Sequence, residues 1–383
     1  KSKSLRLILA VLLVAFIIPY VCIQPLGVGL GFQALTGVSA IVGIVYTCIL
    51  LIIIILLGGM RITAWINVLL GTIFTLAFLG SLIWIVSKLF PGGLPQAVNI
   101  ISERSPNLLT APGPHGEFDH ISISGLFIVG MLVFSWPHVV IGTMTAREKH
   151  IFKWLPLLAI VAGGICFYTI PFLWGSVVAP AISNMPDTLV PTVAAGEADT
   201  ILQTIVTVYL PRWFAIFVLL GVIAAAVSTA STQLLTSAIF VSKDVIHGFI
   251  KPDAKDRQLI FWTKIAVIVI IILAVAMSVW NPFSLALYLT LVAVPGFAQW
   301  APCLLGSVLW KRGTKQGAIA GVLTGTGLLI LGFILGIGTK MILVSLIVNS
   351  LAFIIVSLCT KKPSAEIIGK FFDEVDEFLA SRE

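Results

Sequence analysis

Charge is what this sequence has least of. Asp, Glu, Lys and Arg make up 10% of its 383 residues, against roughly a quarter in soluble domains. With 59% of the chain hydrophobic, no single soluble core could cover that apolar surface. Metal and disulfide chemistry is equally short of material. Cys22, Cys48, Cys166, Cys303 and Cys359 lie singly in apolar stretches, with no C-x-x-C pair and no neighbouring His, so they read as small buried hydrophobes. The chain contains no H-E-x-x-H, no G-x-x-x-x-G-K-[ST], no G-x-S-x-G and no close acid pair in an apolar run, which leaves an enzyme without its machinery. A net charge of +7 suggests phosphate binding only where Lys and Arg cluster on a solvated face. Here they fall between apolar segments, so no nucleic acid is expected. Nothing in the sequence calls for an obligate protein partner, and no secretory leader with a small-residue cleavage site opens it.

What the sequence does have is long uncharged runs, among them Leu5 to Ile18, Gly43 to Leu57 and Ile265 to Val279. With their flanks they reach the ~20 residues that a bilayer-spanning helix needs. The pattern predicts an all-α polytopic bundle of about ten spans, near 5–24, 34–57, 62–87, 121–144, 152–180, 208–242, 259–280, 283–310, 316–337 and 340–360. Its partner is the lipid bilayer, and its expected place is the cell (inner) membrane.

Lys and Arg then orient the bundle, because cytoplasmic loops carry them in excess. Lys1, Lys3 and Arg6 precede the first span. Arg61, Arg147 with Lys149 and Lys153, Lys243 through Arg257, Lys311 through Lys315, and Lys361 with Lys362 mark every second loop after it. The intervening loops are neutral or acidic: Gly27 to Thr36, Asp187 with Glu197 and Asp199, and Trp280 to Phe283. Both termini are thus placed in the cytoplasm. Residues 1–362 are expected to form the transmembrane bundle and 363–383 a cytoplasmic amphipathic tail, with Ile367, Ile368, Phe371, Phe372, Val375 and Phe378 in a helical stripe. An outer loop from Ser87 to His120 is long and holds Pro91-Gly92-Gly93 and Pro112-Gly113-Pro114, as a lid or a solvated connector would.

Two stretches carry candidate chemistry. From Gly221 to Ser237 the sequence is rich in small residues and hydroxyls, and on a helix Ala225, Ser228, Thr229 and Thr232 fall on one stripe. Such a stripe either offers neutral oxygens to a hard cation such as Na⁺, with backbone carbonyls from a broken partner helix, or glues two helices together through back-bonded hydroxyls. The second stretch is Phe134-Ser135-Trp136-Pro137-His138. Pro137 removes a helix donor and bends or opens the backbone, which lets Phe134 and Trp136 wall a solute site and His138 hydrogen-bond its occupant, or merely packs a kinked helix. Pro295-Gly296, followed by Gln299 and Pro302, is a similar breaker, and Gln299 joins the candidate lining. No ionisable residue sits at a span centre, which suits an ion held by neutral oxygens better than a carboxylate proton relay.

Ala224-Ala225-Ala226-Val227-Ser228-Thr229-Ala230-Ser231, with Leu234-Leu235 and Ser242-Lys243-Asp244, resembles the signature of the sodium:solute symporter family. Gly58-Gly59-Met60-Arg61 leading to Ala64-Trp65, Trp136-Pro137-His138, and Leu309-Trp310-Lys311-Arg312-Gly313 with Gly317-Ala318 agree with it in order, over nearly the whole chain. The resemblance implies two inverted five-helix repeats of the leucine-transporter type, moving a small organic solute (organic acid, pantothenate, amino acid or sugar) inward with Na⁺. It places the ion on the Ala225 carbonyl and the Ser228 and Thr229 hydroxyls. It also implies an incomplete first repeat, since the first span here resembles the family's third core helix, and the chain alone is then not expected to transport. Trp65-Ile66-Asn67 followed by Leu70 stands where the family often has Trp-Thr-Asp and Gln, leaving H⁺ as a rival coupling ion. The alternative from another class is a membrane sensor that keeps the bundle without transport.

Overall fold

The computed structural model describes residues 2–113, 116, 118–146, 148, 151–190, 198–280 and 284–374. Lys1, Pro114, Arg147, Lys149, Glu197, Phe283, Val375, Phe378 and the side chain of Cys166, all named above, lie outside the described residues. Among those described, all regular structure is helical. Nine helices are long and apolar enough to cross a membrane: α1 (Lys3–Thr36), α2 (Ala40–Leu89), α3 (His120–Met144), α4 (Ile151–Ser183), α5 (Arg212–Ile250), α6 (Asp256–Trp280), α7 (Leu285–Leu309), α8 (Lys315–Ile334) and α9 (Gly338–Cys359).

The fifty residues of α2 would run ~75 Å if straight, more than twice the hydrocarbon thickness. They do not run straight, because Gly59 adopts φ 55° and ψ −161° in mid-helix, a backbone open essentially to glycine alone. Neighbours along the partner helix show the reversal. Ile55 and Leu235 line one groove, Asn67 bonds Thr232, Ala77 lies against Gly221 and Phe214 against Gly80. The chain descends to Gly59 and climbs back along α5, so α2 contributes two spans and the expected 34–57 and 62–87 crossings are both present.

Two boundaries depart from expectation. The first span continues twelve residues past its predicted end at 24, to Thr36. The glycines there do not break the helix; they let it cross its neighbour. A Cβ on Gly29 would stand 2.6 Å from the Ala40 carbonyl oxygen, and one on Gly43 2.8 Å from the Gly29 Cα. The turn is confined to Gly37–Ser39, opened by the left-handed Gly37 at φ 74°. The predicted 208–242 span is really a short outer helix, Ile201–Tyr209, and then α5, separated where Leu210 turns extended before Pro211. The long outer loop likewise holds a helix, Gly93–Arg104, whose Ala97 and Ile101 are wholly buried against the cluster containing Trp174 and Ile182.

Three apolar cores result. The central one joins α1, the descending half of α2, α5, α6 and α7. A second, at the outer end, gathers Leu82, Ile85, Phe214 and the outer helices around α4. A third packs α3, α7, α8 and α9 around Val129, Leu329 and Ile342. The tail begins as a helix at Ala365 and is tied to the bundle where Lys311 meets Asp373 at 2.9 Å.

Candidate functional site

Both helices with predicted breakers are interrupted, α3 at Trp136 before Pro137 and α7 not at Pro295-Gly296, which stays helical, but just after it. In α3 a tight turn over Leu132–Ser135 ends at Trp136, whose φ of −62° and ψ of 136° are extended, and Pro137 starts the next helical segment, where its missing N–H costs nothing. In α7 the helix halts at Ala298, turns through Gln299 and Trp300, and resumes at Ala301. The two openings face each other. The Trp300 indole donates to the Ser135 carbonyl, one of those the break frees, and the Trp136 and Phe297 rings lie 6.1 Å apart.

Around that junction four rings converge. Tyr20 of α1 sits 5.9 Å from Trp136, 6.2 Å from His138 and 5.7 Å from Phe297. The Trp136 Nε1 and His138 Nδ1 atoms are buried and have no hydrogen-bond partner among the described residues. A buried donor without a partner is costly, so these two atoms are where a ligand would be rewarded. Beside Tyr20, Gln233 of α5 is fully buried, and neither end of its amide makes a hydrogen bond of ordinary geometry among the described residues.

Phe134 and Gln299 do not join this cluster. Phe134 is 47% exposed and pairs with none of the four rings, because it falls within the tight turn that points it outward. Gln299 is 1% exposed and already engaged: its amide donates to Ser345 Oγ at 3.1 Å, and Asn349 Nδ2 donates to its carbonyl at 2.6 Å and its Oε1 at 3.0 Å. It clamps the α7 break to α9. Gly325 makes room for the clamp, since a Cβ there would sit 2.2 Å from Gln299 Oε1.

On α5, Ala224, Ala226, Val227, Ala230 and Ser231 are buried while Ala225, Ser228, Thr229 and Thr232 are half-buried. The predicted stripe is therefore the open side of a helix packed on its others. Ser228 Oγ donates to the Ala225 carbonyl at 2.9 Å, and the Ser231 and Thr232 hydroxyls donate to the Ser228 carbonyl, the back-bonding of the helix-glue alternative, which also brings two of the three predicted ligand oxygens together. Thr229 Oγ1 bonds none of the described residues. Asn67 stands next to this stripe, its amide donating to Thr232 Oγ1 at 3.0 Å and its Oδ1 accepting from Ser231 Oγ at 3.5 Å. Tyr20, Phe297, Gln233 and Trp300 were missed in the sequence reading. Tyr20 follows Pro19 and Gln233 is the one amide in the hydroxyl run, but only the fold brings them together.

Two interrupted helices meet at a ring-lined junction inside an all-helical bundle whose described helices are long and apolar enough to cross a membrane, an arrangement that suits a membrane transporter. The sequence model of the sodium:solute symporter family matches residues 1–325, and the chain belongs to that family. The chain is 26% identical over 389 residues to a sodium/proline symporter of Haemophilus influenzae, covering 96% of this chain and 74% of that protein. It is 25% identical over 391 residues to one of Escherichia coli (97% and 72%), and 26% identical over 383 residues to the osmoregulated proline transporter OpuE of Bacillus subtilis (99% and 75%). The fold is shared with a Na⁺-coupled sialic acid symporter solved in a substrate-bound outward-open state, at a TM-score of 0.74 and 18% identity over 94% of this chain and 76% of that one. The protein takes part in Na⁺-coupled uptake of a solute, with Na⁺ as coupling ion.

Proposed function

We propose that the protein moves a small organic solute inward with Na⁺. The ion is held by the Ala225 carbonyl and the Ser228 and Thr229 hydroxyls, and the solute is held at the junction of Tyr20, Trp136, His138 and Phe297. The observation that carries this reading is the half-buried stripe of neutral oxygens at Ala225, Ser228 and Thr229, flanked by the buried Ala224, Ala226, Val227 and Ala230. Oxygens of low charge bind a partly dehydrated monovalent cation reversibly, which a coupling ion requires. Proline transport by the relatives makes proline the first solute to try, ahead of organic acids, pantothenate and sugars. With both ends of the chain in the cytoplasm, the inside-negative potential drives each Na⁺ inward by about 2.3 kcal/mol per 100 mV. Coupling follows if Na⁺ binds the outward-open, solute-ready state more tightly than the other.

The test is uptake of a labelled solute panel into proteoliposomes holding the full-length protein, with and without an inward Na⁺ gradient. Wild type is compared with the Ser228→Ala/Thr229→Ala double variant. The expected result is gradient-dependent uptake of one solute class, with the half-maximal Na⁺ concentration raised about tenfold or more in the double variant, as losing two ligand hydroxyls predicts. Uptake indifferent to Na⁺ and to both hydroxyls would sink the assignment.

A further inference from the structure

On the side of the bundle that carries the Gly59 reversal, α2, α5 and α6 leave a groove of about 170 Å³. Its walls are apolar: Ile55 and Leu56 from α2, Leu235 from α5, Ile260 and Val267 from α6. One charge lines it, Lys264. Lys264 lies eight residues into α6, about 12 Å along the axis from Asp256, and its side chain is exposed. A charge on a membrane-spanning helix is expensive unless it reaches the interface or meets a counter-charge. No carboxylate lines the groove, and none of the described residues forms an ion pair with Lys264. The other polar side chain on the wall, Thr263, is already spent, bonding Ser242 Oγ and the Leu259 carbonyl at 2.8 Å each. Arg61, exposed two residues beyond Gly59, adds a second cation beside the mouth.

We propose that this groove is a binding site for an anionic phospholipid, with the phosphate on Lys264 and Arg61 and the start of an acyl chain against Ile55, Ile260 and Val267. Positive charge beside apolar walls, with no carboxylate in the lining, is complementary to that ligand, whereas a free phosphate has nothing to set against the apolar walls. Gly59, where α2 reverses, lines one end of the groove.

The site is independent of the transport reading and is tested without it. The full-length protein is purified in detergent, and native mass spectrometry counts retained phosphatidylglycerol and phosphatidylcholine for wild type, Lys264→Leu, Lys264→Arg and Arg61→Gln. Phosphatidylglycerol should be retained in preference, with an affinity about fivefold lower for each cation removed and kept by Lys264→Arg. Unchanged phosphatidylglycerol binding in Lys264→Leu, or equal retention of the two lipids by wild type, overturns the proposal. Should the Leu variant fail to fold, hydrogen exchange on wild type decides. The peptide spanning 56–63 must be slower to exchange in phosphatidylglycerol nanodiscs than in phosphatidylcholine ones, and equal rates overturn the site.

Discussion

Asn67 shows how one amide in place of an acid changes what a site needs. Its Nδ2 donates to Thr232 and its Oδ1 accepts from Ser231, so the position is served without any ion. A carboxylate there would have acceptors only and would face two hydroxyls in a half-buried setting, where a cation is the natural complement. Asn67→Asp is therefore expected to lower the half-maximal Na⁺ concentration for uptake about fivefold, as one added charge-assisted contact predicts. A titration of uptake against Na⁺ checks it, and an unchanged midpoint would separate Asn67 from the ion path. Gln233 makes the complementary case. Its amide lies against the Tyr20 hydroxyl with most of its hydrogen-bonding capacity unused, so Gln233→Leu should change folding stability by no more than about 1 kcal/mol. The solute KM should rise about tenfold. Thermal unfolding and uptake measured side by side distinguish that from a structural role, in which both would worsen.

At the scale of elements, the crossing of α1 over α2 rests on Gly29 and Gly43. A methyl on Gly29 meets a backbone carbonyl at 2.6 Å, so Gly29→Ala must push the helices apart and cost about 1–3 kcal/mol, read as a lowered midpoint in detergent thermal unfolding. A second element-level prediction concerns Asp199, whose Oδ2 accepts from the Leu285 N–H at the start of α7 at 2.9 Å. Burial pushes the carboxyl of Asp199 above the ordinary carboxylate range, and the Leu285 N–H only partly offsets it. A raised acid binds protons more readily folded than unfolded, so its contribution to stability grows as pH falls from the folded pKa towards the ordinary value. Asp199→Asn should remove that slope and keep an acceptor for Leu285, while Asp199→Ala also loses the bond, about 1 kcal/mol. Asp119 acts in the opposite sense. The Ser122 backbone N–H, first, and Lys340, 3.3 Å away, hold its carboxyl below the ordinary range. Its contribution is present above the ordinary pKa and is lost as pH falls through the lowered one. Unfolding midpoints against pH for wild type and the two Asp199 variants check the sign.

Elements of this kind also show what could be read from the sequence alone. Length and hydropathy sufficed for the spans, because a bilayer imposes both. Pro137 announced one break because proline's missing donor acts locally, while Pro295-Gly296 stays helical and the interruption in α7 falls after it, at Gln299 and Trp300. Gly27, Gly29 and Gly31 looked like a loop for a reason equally physical: composition cannot tell a glycine that ends a helix from one that lets two helices touch. The hydroxyl stripe was visible through helical periodicity, whereas the ring cluster joins α1, α3 and α7, and no periodicity links residues so far apart. Gln299 was drawn in as lining because it follows a breaker, and its partners Ser345 and Asn349 lie on another helix.

On the scale of the whole molecule, the ties on one face hold the bundle together away from the site. Arg6 of α1 pairs with Asp244 and donates to the Lys243 carbonyl at 2.7 Å near the end of α5, and Arg312 donates to the Thr360 carbonyl at 2.7 Å beyond α9. These contacts lie at helix ends, where they leave the central breaks free to rearrange. The left-handed Gly59 has a larger effect than any of them. Counted by crossings, α2 is two passes and the bundle ten, an even number, which returns residues 3 and 359 to the same side of the bilayer. That one backbone angle is what divides the fifty residues of α2 into two passes and so makes the count of described passes even. A single position, where any side chain is strained, thus sets the parity of the whole path.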